Sequence, residues 1–217
     1  MKQSVLSWHI LSYPRSGNHL VRALVEFASH RPKLGCKNGR NDPPIYLRKP
    51  NQLLKKIIIN DENPIGFKSH SLHEAQLVQK NNPRNLGLVF VQRKMEEAIF
   101  SNSYRNLEKK FHLNGRELRK KIEQEIDFYL GSQLFYKNYD AGPKICINFE
   151  DITNQDVNRA MIVSESFLSE MGLANTKLNI KDFEEIKELA RESQKSIRKK
   201  SNAKLEERIR AEISRYL

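Results

Sequence analysis

The sequence predicts an α/β protein: a single domain over residues 1–217 with a central parallel sheet flanked by helices. Three observations carry this. Short, near-continuous apolar runs at residues 5–13, 86–92 and 144–149 have the length and character of strands covered on both faces. Segments of helical period alternate with those runs, which is the pattern of parallel strands joined by crossover helices. The length of 217 residues fits one compact domain of roughly 50 to 250 residues.

In chain order, residues 5–13 read as a buried strand, 14–18 as a tight loop and 19–28 as a helix whose Leu20, Leu24, Phe27 and Ala28 share a face. Residues 31–50 are rich in Gly, Pro, Asn and basic side chains without periodicity and predict a long surface loop of the kind that gates a substrate. A short strand is expected at 65–69, a stronger one at 86–92 and a helix at 95–105. A long amphipathic helix covers 115–139, a further buried strand 144–149, and helices 157–171 and 183–193. The tail from residue 196 to 217 is a charged helix with Leu205, Ile209 and Ile213 forming a narrow apolar stripe.

Composition sets the function class. Thirty-eight Lys and Arg against 26 Asp and Glu leave a net charge of +12, which draws anions such as nucleotides, nucleic acids and sulfated or phosphorylated substrates. A hydrophobic fraction of 38% and a charged fraction of 29% exclude a disordered or fibrous chain. No apolar stretch approaches the roughly 20 residues of a membrane span, and the N-terminus lacks the pattern of a secretory signal. The two cysteines, Cys36 and Cys146, form no framework, and Cys146 is expected as a buried thiol in a strand. These features point to a reducing, cytoplasmic setting. His73 and His112 have no partners at metal-ligand spacing, so no metal site is expected.

The sharpest motif is Ser12-Tyr13-Pro14-Arg15-Ser16-Gly17-Asn18-His19-Leu20, where a buried strand gives way to a helix. Free amides of the first helical turn and the helix dipole favour an anion there, Gly17 permits close approach, and Arg15, Ser16 and Asn18 add donors. The nucleotide-hydrolase pattern G-x-x-x-x-G-K-[ST] is absent, which weakens a kinase reading. Downstream, Arg93 ends the third strand and Ser101 follows eight positions later on a helix, so that a planar cationic fork and a hydroxyl converge. Between these motifs lies Gly66-Phe67-Lys68-Ser69-His70. An imidazole titrates near neutrality and suits a general base.

These motifs resemble those of the sulfotransferase family. Residues 13–18 match the Tyr-Pro-Arg-Ser-Gly-Asn form of its phosphosulfate loop, Arg93 and Ser101 its 3'-phosphate pair, and Lys68 to His70 its Lys-Thr-His segment. The resemblance implies the P-loop-like, nucleotide-kinase-like sulfotransferase fold and the donor 3'-phosphoadenosine 5'-phosphosulfate. Arg15, Ser16, Gly17, Asn18 and His19 would then hold the phosphosulfate and Arg93 and Ser101 the 3'-phosphate. His70 would be the base, with Lys68 steadying charge and Arg15 the departing phosphate oxygen. Glu26 and His19 remain alternative bases.

The segment Ile147 to Ile152 resembles the family strand ending in Tyr-Glu-Asp near the adenine, with Phe149 in place of the Tyr. Glu150 and Asp151 read equally well as helix caps. Two departures stand out: Lys94-Met95-Glu96-Glu97 replaces the usual Pro after Arg93, and the family's C-terminal cofactor loop is missing. Arg198 and Lys199 are the candidates to supply part of its contact, although a basic run near a terminal helix is ordinarily a solvated face. The acceptor is expected to be a small molecule or carbohydrate, with no nucleic-acid partner. The rival readings are a basic nucleic-acid-binding protein, for which no recognised module is present, and a nucleotide kinase.

Overall fold

The computed structural model describes residues 7–37, 40–42, 65–81, 86–107, 114–173, 177–195 and 202–217. The sheet consists of β1 (Ser7–Ser12), β2 (Lys33–Lys37), β3 (Arg40–Asp42), β4 (Gly66–Ser69), β5 (Leu86–Gln92) and β6 (Lys144–Asn148), in the spatial order β3-β2-β4-β1-β5-β6. The strands β4, β1, β5 and β6 run parallel, β2 extends them in parallel beside β4, and β3 adds an antiparallel edge. Around them lie α1 (Asn18–Ser29), α2 (Leu72–Asn81), α3 (Met95–Leu107), α4 (Gly115–Lys137), the single turn α5 (Phe149–Ile152), α6 (Val157–Glu170), α7 (Ile180–Lys195) and α8 (Ala203–Ile213).

The strands form because alternate side chains find a core on both faces. Trp8, Ile10, Val89, Val91, Ile145 and Ile147 point to one side, where Leu24 of α1, Phe167 of α6 and Phe183 of α7 cover them. Leu11, Leu88 and Phe90 point to the other, against Ala75 of α2 and Phe135, Tyr136 and Tyr139 at the end of α4. Each such side chain taken out of water stabilises the fold by about 1.5–3 kcal/mol, which is why β1 and β5 read as continuous apolar runs. A third cluster joins Tyr13 to Ile99 of α3, Ile122 of α4 and Ile209 and Ile213 of α8. The apolar stripe predicted for the C-terminal tail is therefore the face that docks.

The structure corrects several expectations. The stretch expected to be a loop at 31–50 contains β2 and β3, and β3 makes the sheet mixed rather than wholly parallel. Lys33–Lys37 carries little apolar signal, because a strand at the margin of a sheet takes its order from backbone pairing. Helix α2 fell between assigned elements, with Ala75 its fully buried side chain. Strand β6 is an edge strand covered on one face: Ile145 and Ile147 are buried while Lys144, Cys146 and Asn148 face outward. Cys146 is thus an exposed free thiol, not a buried one, with its Sγ 3.5 Å from Gln92 Oε1. Phe149 begins α5 instead of ending the strand. Among the described residues no helix is long and apolar enough to cross a membrane.

This topology creates a place for a site. The chain leaves β1 through α1 towards β2 on one side, and leaves β5 through α3 and α4 towards β6 on the other. Connections diverging from adjacent parallel strands open a crevice at their carboxyl ends. The loop at 13–17 and Arg93 stand at those two ends.

Candidate functional site

The loop after β1 is held in an uncommon shape. Ser16 N–H donates to the Tyr13 carbonyl at 3.2 Å, and both Arg15 (φ 69°) and Gly17 (φ 81°) are left-handed. For Gly17 that conformation costs nothing, but for an arginine it stores on the order of 1–3 kcal/mol. Gly17 also caps α1 without a side-chain bond, and no acidic residue sits in the first turn. The positive end of α1 is therefore left open to an anion. A Cβ at Gly17 would run into the Phe149 ring, so the glycine is required by space as well as by φ.

Arg93 closes the crevice from β5. Its Nη1 donates to the Arg15 carbonyl at 2.8 Å, and its guanidinium lies 5.1 Å from the Phe149 ring centre. Arg15 Nε in turn donates to Ser101 Oγ at 3.4 Å, so residues from β1, β5, α3 and α5 meet. Burial lowers the Arg93 pKa, an effect opposed by the carboxylates of Glu97 and Glu150. Among the described residues, Ser16 Oγ, Asn18 Oδ1 and Arg93 Nε are buried without a hydrogen-bond partner. Leaving such groups unpaired costs about 1–3 kcal/mol each, and of the three around this loop the Ser16 hydroxyl and Arg93 Nε can donate to an anion whereas Asn18 Oδ1 can only accept.

His70 follows β4, which pairs with β1 so that Leu11 stands opposite Ser69. Its Nδ1 lies 3.0 Å from the Ser12 carbonyl oxygen and 3.1 Å from Ser12 Oγ, which accepts from Asn18 Nδ2 at 2.9 Å. A carbonyl oxygen only accepts, so Nδ1 carries the hydrogen and Nε2 keeps the lone pair. Burial, and after it the positive charge of Lys68, push the imidazole down to about 3, so it is neutral at physiological pH. His19 and Arg22 act in the same direction.

A helix that the motifs did not mark braces the loop. Tyr13 Oη donates to Glu125 Oε2 at 2.5 Å, Asn102 Nδ2 donates to the same oxygen at 2.9 Å, and Lys121 Nζ stands 3.2 Å from Oε1. Burial and the Glu125 carboxylate raise the Tyr13 pKa, keeping that hydroxyl a donor. One turn further, Tyr129 Oη donates to the Arg93 carbonyl at 2.5 Å. The sequence held a signal: Leu118, Ile122, Glu125, Tyr129 and Ser132 fall at helical spacing and are all buried, so Glu125 is an acid on an apolar stripe.

The structure thus gathers Arg15, Ser16, Gly17, Asn18, His19, His70, Arg93, Ser101 and Phe149 at one end of the sheet. Lys68 is buried in β4, in register with Ile10. Glu26 is also buried, but eight residues along α1 from Asn18 it lies about 12 Å below the loop. Glu150 acts structurally, accepting from Lys94 N–H at 3.0 Å where α3 begins, and Asp151 accepts from Asn148 Nδ2 at 3.1 Å. Arg198, Lys199 and His112 lie outside the described residues. No protein-family model matches this chain, and no curated protein matches it.

Proposed function

We propose that this protein is a sulfotransferase that moves a sulfuryl group from 3'-phosphoadenosine 5'-phosphosulfate to an acceptor hydroxyl or amine. The observation that carries the reading is the joining of two distant motifs: Arg93 bonds the backbone of the 13–17 loop while Arg15 bonds Ser101. Two cations and a hydroxyl beside an uncapped helix suit a ligand with two separated anionic groups. The donor's anionic oxygens fit the unpaired Ser16 hydroxyl and Arg93 Nε, both of which can donate, and the Phe149 ring offers a face for a base.

In this reading the loop and Arg15 hold the 5'-phosphosulfate, and Arg93 and Ser101 hold the 3'-phosphate. His70 Nε2 takes the acceptor proton as the acceptor oxygen or nitrogen bonds to sulfur and the bond from sulfur to the phosphate oxygen breaks. Arg15 steadies the charge left on that oxygen. Catalysis rests on positioning and fixed charge, as in phosphoryl transfer. The acceptor is a small molecule or carbohydrate, the setting is cytoplasmic, and the fold is the P-loop-like sulfotransferase form of the observed α/β sheet.

Calorimetry decides the donor. The expectation is that 3',5'-bisphosphoadenosine binds more tightly than ATP and that Arg93→Ala weakens it at least tenfold. Stronger ATP binding, or an Arg93→Ala variant with unchanged affinity, would overturn the assignment.

A further inference from the structure

Helix α8 reaches the proposed 3'-phosphate site through a shared carboxylate. Glu97 of α3 places Oε1 3.2 Å from Arg210 Nη1 of α8 and Oε2 3.9 Å from Arg93 Nη2. One carboxylate therefore stands between two guanidinium groups, one at each oxygen. Arg210 is held for this position. Its guanidinium lies 3.9 Å from the Phe100 ring centre and 3.6 Å from Glu96, while the neighbouring Ile209 and Ile213 are fully buried. The start of α8 is fixed too, by Asn202 N–H donating to Tyr104 Oη at 2.8 Å and Asn202 Oδ1 accepting from Leu205 N–H at 3.1 Å.

The consequence is electrostatic. Arg93 has one guanidinium edge on the Arg15 carbonyl and faces two carboxylates, Glu97 and Glu150, the second bonded to Lys94 N–H. A phosphate arriving at Arg93 must compete with Glu97, which repels it as well. We propose that Arg210 is a positioning residue for the 3'-phosphate: it draws the Glu97 carboxylate outward and neutralises it, so that Arg93 is available to the ligand. The inference rests on the proposed donor. It assigns to the C-terminal helix a part in binding without any direct contact with the ligand.

The test compares 3',5'-bisphosphoadenosine with adenosine 5'-monophosphate, which lacks the 3'-phosphate, by calorimetry on the full chain. Arg210→Gln is expected to weaken the bisphosphate about three- to fivefold, the scale of a half-exposed ion pair, and to leave the monophosphate unchanged. Arg210→Lys should retain most of the preference. Adding Glu97→Gln to Arg210→Gln should recover the loss, because the competing anion is gone. Equal weakening of both ligands, no weakening, or no recovery in the double variant overturns the proposal. Should Arg210→Gln fail to fold, Glu97→Gln alone decides: it is expected to tighten the bisphosphate only, and an unchanged affinity overturns the idea. A wild-type protein with no preference for the bisphosphate sinks the donor assignment together with this one. A wild-type preference that Arg210→Gln leaves undiminished sinks this one alone.

Discussion

His70 is kept neutral by its surroundings, and this has consequences in two directions. In the folded protein it takes up a proton only near pH 3, whereas in the unfolded chain it does so near 6.5. Between those values the unfolded state binds more protons, so the residue's contribution to stability is lost as pH falls from 6.5 towards 3. The slope is at most about 1.4 kcal/mol per pH unit. Denaturant titrations of His70→Asn should show a flatter acid limb than the wild type, and an identical limb would refute the assignment. A bound anion would offset the field of Lys68, His19 and Arg22 that helps hold the imidazole down. An NMR titration with 3',5'-bisphosphoadenosine present should therefore move the His70 midpoint upward, towards the range of a working base. Loss of the imidazole is expected to slow sulfuryl transfer about 10²- to 10⁴-fold. Gly17→Ala should abolish donor binding, since it meets both a left-handed φ and the Phe149 ring.

At the level of the element, α4 does more than cover the sheet. Its Glu125 and Tyr129 fix the loop after β1 and the chain after β5, the two supports of the site. Tyr13→Phe removes one bond to a carboxylate that keeps Asn102 and Lys121, and should cost about 1 kcal/mol. Glu125→Leu takes the acceptor from the buried Tyr13 hydroxyl and leaves the Asn102 amide only its longer, 3.4 Å bond to Tyr13 Oη, and should cost about 2–4 kcal/mol in thermal or denaturant unfolding. Equal effects of the two changes would contradict the network. Elements differ in how well the sequence announced them for related reasons. Strand β5 was legible residue for residue because Leu86 to Val91 are buried on both faces. Strand β2 was not, because its order comes from backbone pairing with β4 that Lys33–Lys37 does not encode as a pattern. Helix α2 was missed because its apolar residues, Leu72, Ala75, Leu77 and Val78, do not keep to one face: Ala75 is fully buried while Leu77 is exposed.

Across the whole molecule the site depends on long-range closure. Tyr13, Arg93 and Phe149 come from three strand ends, and Arg15 meets Ser101 across 86 positions of sequence. Motif spacing marked the individual candidates, but only the strand order, with β1 between β4 and β5, makes them neighbours. Glu97 and Arg210 show the limit: separated by 113 positions and ordinary as surface charges, neither has a local pattern to mark it. The net charge of +12 acts at the same scale. Donor affinity and association rate should fall as salt rises from 50 to about 300 mM, measured by stopped-flow or calorimetry. Arg93→Gln should weaken binding and flatten that dependence.

The left-handed Arg15 is built into the loop at a thermodynamic loss, and the unpaired atoms of Ser16, Asn18 and Arg93 add to it. Selection for heat resistance alone would therefore drift away from the proposed donor binding at these positions. A library screened only for survival on heating should collect replacements at Arg15 and Ser16 first and lose donor binding as it gains robustness. The same library heated with the bisphosphate present should keep them.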